Sequence, residues 1–382
     1  MIPYGKQHIT HEDIQVVIDV LKSDFLTQGP VVPNFEKALS TSCGAEFVTV
    51  LNSATSALHV ACLALGLQPN DCVWTVPNTF VASANCALFC GASVDFVDID
   101  PKTYNISIDA LELKLKLAKA SGRLPKIVIP VHFGGEPCDM GAIKVLSNKY
   151  GFKIIEDASH AIGGRLENSA IGACQYSDIT VFSFHPVKIV TSGEGGAALT
   201  NDSSIDHKLK LLRSHGITRD KNHMEFPKEY GWYYEQIDLG FNYRMTDIQA
   251  ALGLSQLSRL NDHVKKRHEI AKNYDEHFVK PEITLPYRNP KNLSALHLYV
   301  IQVDESMHNY IFSSLRDKGI GVNLHYIPVH TQPYYQKLGF KWGDFPNAEK
   351  YYRQAISLPI FPTLVSDQQN LVIESIRSLC DV

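Results

Sequence analysis

The sequence predicts an α/β protein: a large, mostly parallel sheet domain followed by a smaller C-terminal α+β domain. Three observations carry that expectation. Short apolar runs recur between helical stretches, turn residues separate them, and the pattern changes character after Gly240. With 382 residues, the chain has room for about two domains and for a core that encloses functional groups. The division is expected at 1–245, N-terminal segment included, and 246–382.

The elements follow in chain order. Thr10 precedes His11-Glu12-Asp13, and apolar Ile14, Val17, Ile18 and Leu21 recur at i, i+3, i+4 and i+7, which predicts a capped amphipathic helix. The apolar run 47–51 reads as a strand, Asn52-Ser53-Ala54-Thr55-Ser56 as a loop, and 57–65 as a helix ended by Gly66. Further strands are predicted at 72–76, 94–97, 126–131, 153–156 and 179–184, several of them separated by helical patterns such as 111–120. Beyond Gly240, Thr246 with Gln249 forms a capping box, and a helical pattern runs through Ile248, Leu252 and Leu257 toward Ile270. A strand over 296–303, a helix around 310–318, Gly319-Ile320-Gly321-Val322 and a helical C-terminus complete the smaller domain.

Composition excludes several classes of function. Hydrophobic residues at 45% and charged residues at 20% are globular values, not those of a disordered or fibrous chain. Lys+Arg number 36 against 40 Asp+Glu, a net charge of -4, so neither nucleic acid nor an anionic membrane surface is an expected partner. The stretches 47–70 and 72–94 lack charge but are broken by Asn52, His59, Gly66, Pro77 and Asn85, so they read as buried strand-turn-helix units and not as membrane spans. The N-terminus lacks an apolar secretion segment. Eight cysteines without a C-x-x-C pair imply reduced thiols in the cytoplasm, with neither a disulfide framework nor structural zinc. His325 and His330, five residues apart across Pro328, bring no carboxylate or thiolate that would make them a metal pair, so no metal is expected.

Chemistry concentrates in a few places. Asp157 and His160 follow Ile154-Ile155-Glu156 at the end of the predicted strand 153–156, and a carboxylate leaving a buried parallel strand stands where open α/β sheets bind ligands. Lys188 follows the apolar run 179–184 and precedes Thr191-Ser192-Gly193-Glu194-Gly195-Gly196. Desolvation there would expose a free amine, as Schiff-base chemistry requires. Each residue by itself also has an ordinary reading: a turn carboxylate, a structural histidine, a surface lysine. The glycines lack the G-x-G-x-x-G spacing and following helix of a dinucleotide loop, which counts against a nicotinamide-dependent sugar oxidoreductase.

The joint pattern goes further. Asn52-Ser53-Ala54-Thr55-Ser56-Ala57, Asp157 with His160, Lys188 with Gly193 and Gly195-Gly196, and Gly240-Phe241-Asn242-Tyr243-Arg244-Met245 together resemble the DegT/DnrJ/EryC1/StrS sugar aminotransferases, which are fold type I enzymes dependent on pyridoxal phosphate. The resemblance covers most of the chain. It implies that the backbone donors of Ala54 and Thr55 and the side chains of Ser183 and Asn242 hold the cofactor phosphate, with Asn242 supplied across a homodimer interface into a shared active site. It implies that Phe80 stacks on the pyridine ring, that Asp157 pairs with the ring nitrogen and that His160 lies near the ring hydroxyl. Lys188 matches the lysine that tethers the cofactor and then moves the proton. Related sugar 3-dehydratases carry His where this chain keeps Lys188, and a non-catalytic cofactor-binding regulator need not keep it.

The runs from Pro3 to Gln7, from Leu21 to Pro30 and from Leu324 to His330 resemble the branch acting on nucleotide sugars, within it the transaminases of pseudaminic acid biosynthesis. That resemblance implies amino transfer from L-glutamate, through pyridoxamine phosphate, to C4 of a UDP-linked 2-acetamido-2,6-dideoxy 4-ketosugar. Tyr4, Asp24, Phe25, Leu26, Thr27, His325 and Tyr326 would border the sugar nucleotide. Other nucleotide-linked 3- or 4-ketosugars remain open, because a few loop contacts read hydroxyl configuration.

Overall fold

The computed structural model describes residues 1–380. A seven-stranded sheet forms its centre: β1 (Phe47–Leu51), β2 (Cys72–Thr75), β3 (Ser93–Phe96), β4 (Ile127–Ile129), β5 (Lys153–Asp157), β6 (Ile179–Ser183) and β7 (Gly196–Thr200), in the spatial order β1-β7-β6-β5-β4-β2-β3. The pairings among β2 to β6 are parallel, and β7 runs antiparallel to both β1 and β6. The α/β expectation therefore holds, and the six predicted strands fall within a residue or two of their expected places. The sequence reading omitted β7. Gly-Ala-Ala-Leu-Thr is poor in β-branched residues, and at its first position the reason is spatial: a Cβ on Gly196 would lie 2.5 Å from the backbone nitrogen of Ala54.

Alternation along the strands feeds two cores. Val73, Ile127, Ile155, Ile179, Val181 and Ala198 face the helices Ala54–Ala64, Ala82–Phe89 and Ser203–Arg213. Trp74, Val128 and Ile154 face the opposite side, under Ile108–Ser121 and Met140–Tyr150. Val48, Val50, Phe182, Ala197 and Leu199 pack there against Val31–Cys43 and Asp247–Leu257. Capping organises the connections: Thr10 and Thr246 both form the predicted capping boxes, the first with Asp13 and the second with Gln249.

Two expectations about helices need correction. The pattern after Thr246 is two helices, Asp247–Leu257 and Leu260–His277, broken at Ser258 and Arg259. In the helix His11–Leu21 the buried residues are Asp13 and Val20, while Ile14 and Leu21 are exposed. The cause is polar: Asp13 accepts from Ser255 at 2.6 Å and from Gln256 at 2.8 Å and pairs with Arg259, which turns the predicted apolar stripe outward.

The C-terminal unit has its own core. Strands β8 (Tyr299–Gln302) and β9 (Ala355–Leu358) pair antiparallel, and Tyr274, Tyr299, Ile301, Leu315, Ile356, Val372 and Ile376 pack around them. The chain's first residues also join this unit. Ile2 and Pro3 pair in parallel with Ile320 and Gly321, and Ile360 N–H donates to the Tyr4 carbonyl at 3.0 Å. This pairing carries Tyr4 to the edge of the large sheet.

Candidate active site

The carboxyl ends of β1, β2, β5 and β6 open into a cleft of about 540 Å³, closed on its far side by Tyr4, Asn323, His325 and Tyr326. The site of an open α/β sheet is expected at this edge, where the strands release loops and helices begin.

One wall is the start of the helix Ala54–Ala64. Ser53 caps it by accepting from Ser56 N–H at 3.1 Å, so the donors of Ala54 and Thr55 have no partner within the helix and border the cleft. Gly196 lets β7 press against this turn, since any side chain there meets the backbone of Ser53 and Ala54. Ser183, at the end of β6, lines the same wall.

The floor holds the charged groups. Asp157 is buried at the end of β5, and its Oδ1 accepts from Ser159 N–H at 3.1 Å while its Oδ2 accepts from the Ser83 hydroxyl at 2.6 Å. Lys188 is half-buried on the turn after β6. Burial lowers its ammonium pKa to about 8, with the Asp157 charge acting in the opposite sense.

His160 is buried beside them. Its Nδ1 accepts from Gly134 N–H at 3.3 Å, so the neutral ring carries its proton on Nε2 and donates it to the Tyr326 hydroxyl 3.0 Å away. Burial, followed by the charges of Lys188 and His325, holds His160 well below the usual histidine range. Burial and then Lys188 push His325 down to about 3, and its Nδ1 lies 2.8 Å from the Ser357 hydroxyl. The Tyr4 ring sits 5.1 Å from His325, centroid to centroid. Phe80 leans over the opening, 59% exposed, with its ring 6.3 Å from that of Tyr326.

The structure thus brings together Tyr4, Ala54, Thr55, Phe80, Asp157, His160, Ser183, Lys188, His325 and Tyr326. Asn242, Asp24, Phe25, Leu26 and Thr27 are not in this group: all five are exposed and lie outside the chain's own cleft. Sequence reading missed several contributors, among them Asn323, Thr79, Ser83 and His297. Thr79 and Ser83 had a usable signal, two hydroxyls four residues apart on either side of Phe80 at the entry to a helix. His297 had none; its buried ring packs 4.4 Å from His160 only because the C-terminal unit folds over the sheet.

A model of the DegT/DnrJ/EryC1/StrS aminotransferase family matches residues 7–377. The chain belongs to that family. It is an aminotransferase, and aminotransferases of this family depend on pyridoxal phosphate. The chain is 40% identical over 385 residues to the spore coat polysaccharide biosynthesis protein SpsC of Bacillus subtilis, covering 99% of this chain and 97% of that protein. It is 37% identical over 388 residues to the UDP-4-amino-4,6-dideoxy-N-acetyl-beta-L-altrosamine transaminase of Campylobacter jejuni, covering 100% and 98% of the two chains. Among solved structures it resembles Helicobacter pylori PseC, an aminotransferase involved in the biosynthesis of pseudoaminic acid, with a TM-score of 0.90 and 32% identity over 100% of this chain and 99% of that one. The cleft passes a direct test of fit to the cofactor. It presents free helix-start donors for a phosphate, a buried carboxylate for a cationic ring and a desolvated amine for an aldehyde.

Proposed function

We propose that the chain moves an amino group from L-glutamate to C4 of a UDP-linked 2-acetamido-2,6-dideoxy 4-ketosugar. The observation that carries this reading is the convergence of the Lys188 amine and the Asp157 carboxylate on one cleft rimmed by Tyr4, His325 and Tyr326. When bound, pyridoxal phosphate supplies an electron sink for negative charge developing at the carbon that bears the amino group.

The residues divide the remaining work. The N–H groups of Ala54 and Thr55 and the Ser183 hydroxyl would hold the phosphate; Phe80 would cover one face of the ring, Asp157 would meet its nitrogen, and His160 would face its hydroxyl. Lys188 would tether the cofactor, and its freed amine would be the group placed to move the proton. A pKa of about 8 suits both halves of that transfer near neutrality. Because His160 is held neutral, it acts as a hydrogen-bonding group and adds no competing positive charge.

A homodimer completes the reading. Ile14, Leu21, Phe25, Leu26, Trp232 and Leu239 are exposed large apolar residues close in sequence to the positions missing from the cleft, and burying them against a second copy would bring Asn242 and 24–27 to the partner's site. The eight free cysteines accord with a cytoplasmic, reducing setting.

The likeness to SpsC at 40% identity supports a second reading, amination of another nucleotide-linked 3- or 4-ketosugar. One experiment separates the two: purified protein with glutamate is offered a panel of UDP- and dTDP-linked 3- and 4-ketosugars, and NMR assigns the products. Exclusive turnover of a dTDP-sugar, or amination at C3, would refute the first reading.

A further inference from the structure

Asp157 is held from two directions by two different elements. Its Oδ1 accepts from Ser159 N–H at 3.1 Å, a bond within its own turn. Its Oδ2 accepts at 2.6 Å from Ser83, 74 residues away on the helix Ala82–Phe89, and Ser83 in turn lies 2.8 Å from the Thr79 hydroxyl. Ser83 and Thr79 are both buried.

The proton count sets the direction of this chain. An ionised carboxylate only accepts, so the single Ser83 proton points to Asp157 and the Thr79 hydroxyl must donate to Ser83. Ser83 has a local alternative, the Phe80 carbonyl, but at 3.4 Å that contact is much longer than the charge-assisted bond. The hydroxyl therefore serves the carboxylate and not its own helix.

Resting on the cofactor reading above, we infer that Ser83, backed by Thr79, is a positioning residue that fixes the rotation of the Asp157 carboxylate so that it meets the cofactor's ring nitrogen. A carboxylate held at one oxygen turns over a broad range about its terminal torsion, and a second anchor from another element removes that freedom. Phe80 lies between Thr79 and Ser83, so one segment, the turn leading into the helix Ala82–Phe89, carries both the aromatic residue at the opening and the hydroxyls that reach the carboxylate.

The test uses full-length wild type, Ser83→Ala, Thr79→Val, Asp157→Asn and the Ser83→Ala/Asp157→Asn double variant. Equilibrium dialysis measures pyridoxal phosphate affinity, and induced circular dichroism of the visible band reports ring orientation. Ser83→Ala is expected to weaken affinity about tenfold and to reduce the induced signal, the size of a lost hydrogen bond to a charged group. Thr79→Val shifts both in the same direction by less, and it decides the matter should Ser83→Ala fail to fold. In the Asp157→Asn background, Ser83→Ala adds less than about twofold, because coupled residues are not additive. Wild-type affinity and dichroism in Ser83→Ala, or an undiminished tenfold loss in the double variant, overturns the inference. A wild type that neither saturates with pyridoxal phosphate nor takes label at Lys188 overturns the cofactor reading, and this inference with it.

Discussion

The Lys188 amine yields the sharpest prediction, because its perturbation has a magnitude. Burial moves its pKa from 10.5 to about 8. At pH 7 an ordinary lysine is unprotonated in roughly one molecule in 3000 and Lys188 in about one in ten, an advantage of roughly 300-fold in free amine. The assay is stopped-flow mixing of cofactor-free protein with pyridoxal phosphate across pH 6.5 to 9.5, followed by borohydride trapping and peptide mapping. Capture should accelerate about tenfold per pH unit below 8 and level off above it, with the label on Lys188. The Asp157 charge holds this pKa up, so Asp157→Asn should move the bend to lower pH. A bend near the ordinary lysine value, a label elsewhere, or an upward shift in Asp157→Asn would refute the reasoning.

Other predictions follow from the same cleft. His160 and His297 are held well below the usual range and His325 near 3, all chiefly by burial, so their imidazole NMR resonances should not titrate between pH 5 and 8; an inflection near 6.5 would contradict this. Gly196→Ala places a methyl 2.5 Å from the backbone of Ser53 and Ala54 and should cost about 1–3 kcal/mol in urea unfolding, with weaker phosphate binding; unchanged unfolding would show that the turn can yield. Replacing exposed Phe25 and Leu26 by Ser should leave unfolding of the isolated chain within about 0.5 kcal/mol while shifting sedimentation from dimer toward monomer. An unchanged sedimentation profile would remove that surface from the interface.

What was legible in the sequence is what near neighbours decide. Capping at Thr10 and Thr246 depends on residues three positions away, and the strands of a sheet covered on both faces announce themselves as apolar runs. Lys188 and Asp157 were legible only jointly, through the ordered motifs around them, since each alone also reads as a surface lysine or a turn carboxylate. Local pattern fails where a distant partner sets the environment. The stripe of Ile14 and Leu21 faces outward because Asp13 is drawn inward by residues more than 240 positions later, and β7 begins with a glycine because another turn lies against it. The tautomer of His160 depends on the backbone donor of Gly134, 26 residues away, and the rotation of Asp157 on Ser83, 74 residues away. By itself the sequence determined the ordered motifs, and it is their combination that resembles a family whose chemistry uses an amine and a carboxylate. Only the tertiary structure decided their geometry, because hydrogen bonds and desolvation act over a few ångströms of space, whatever the separation along the chain.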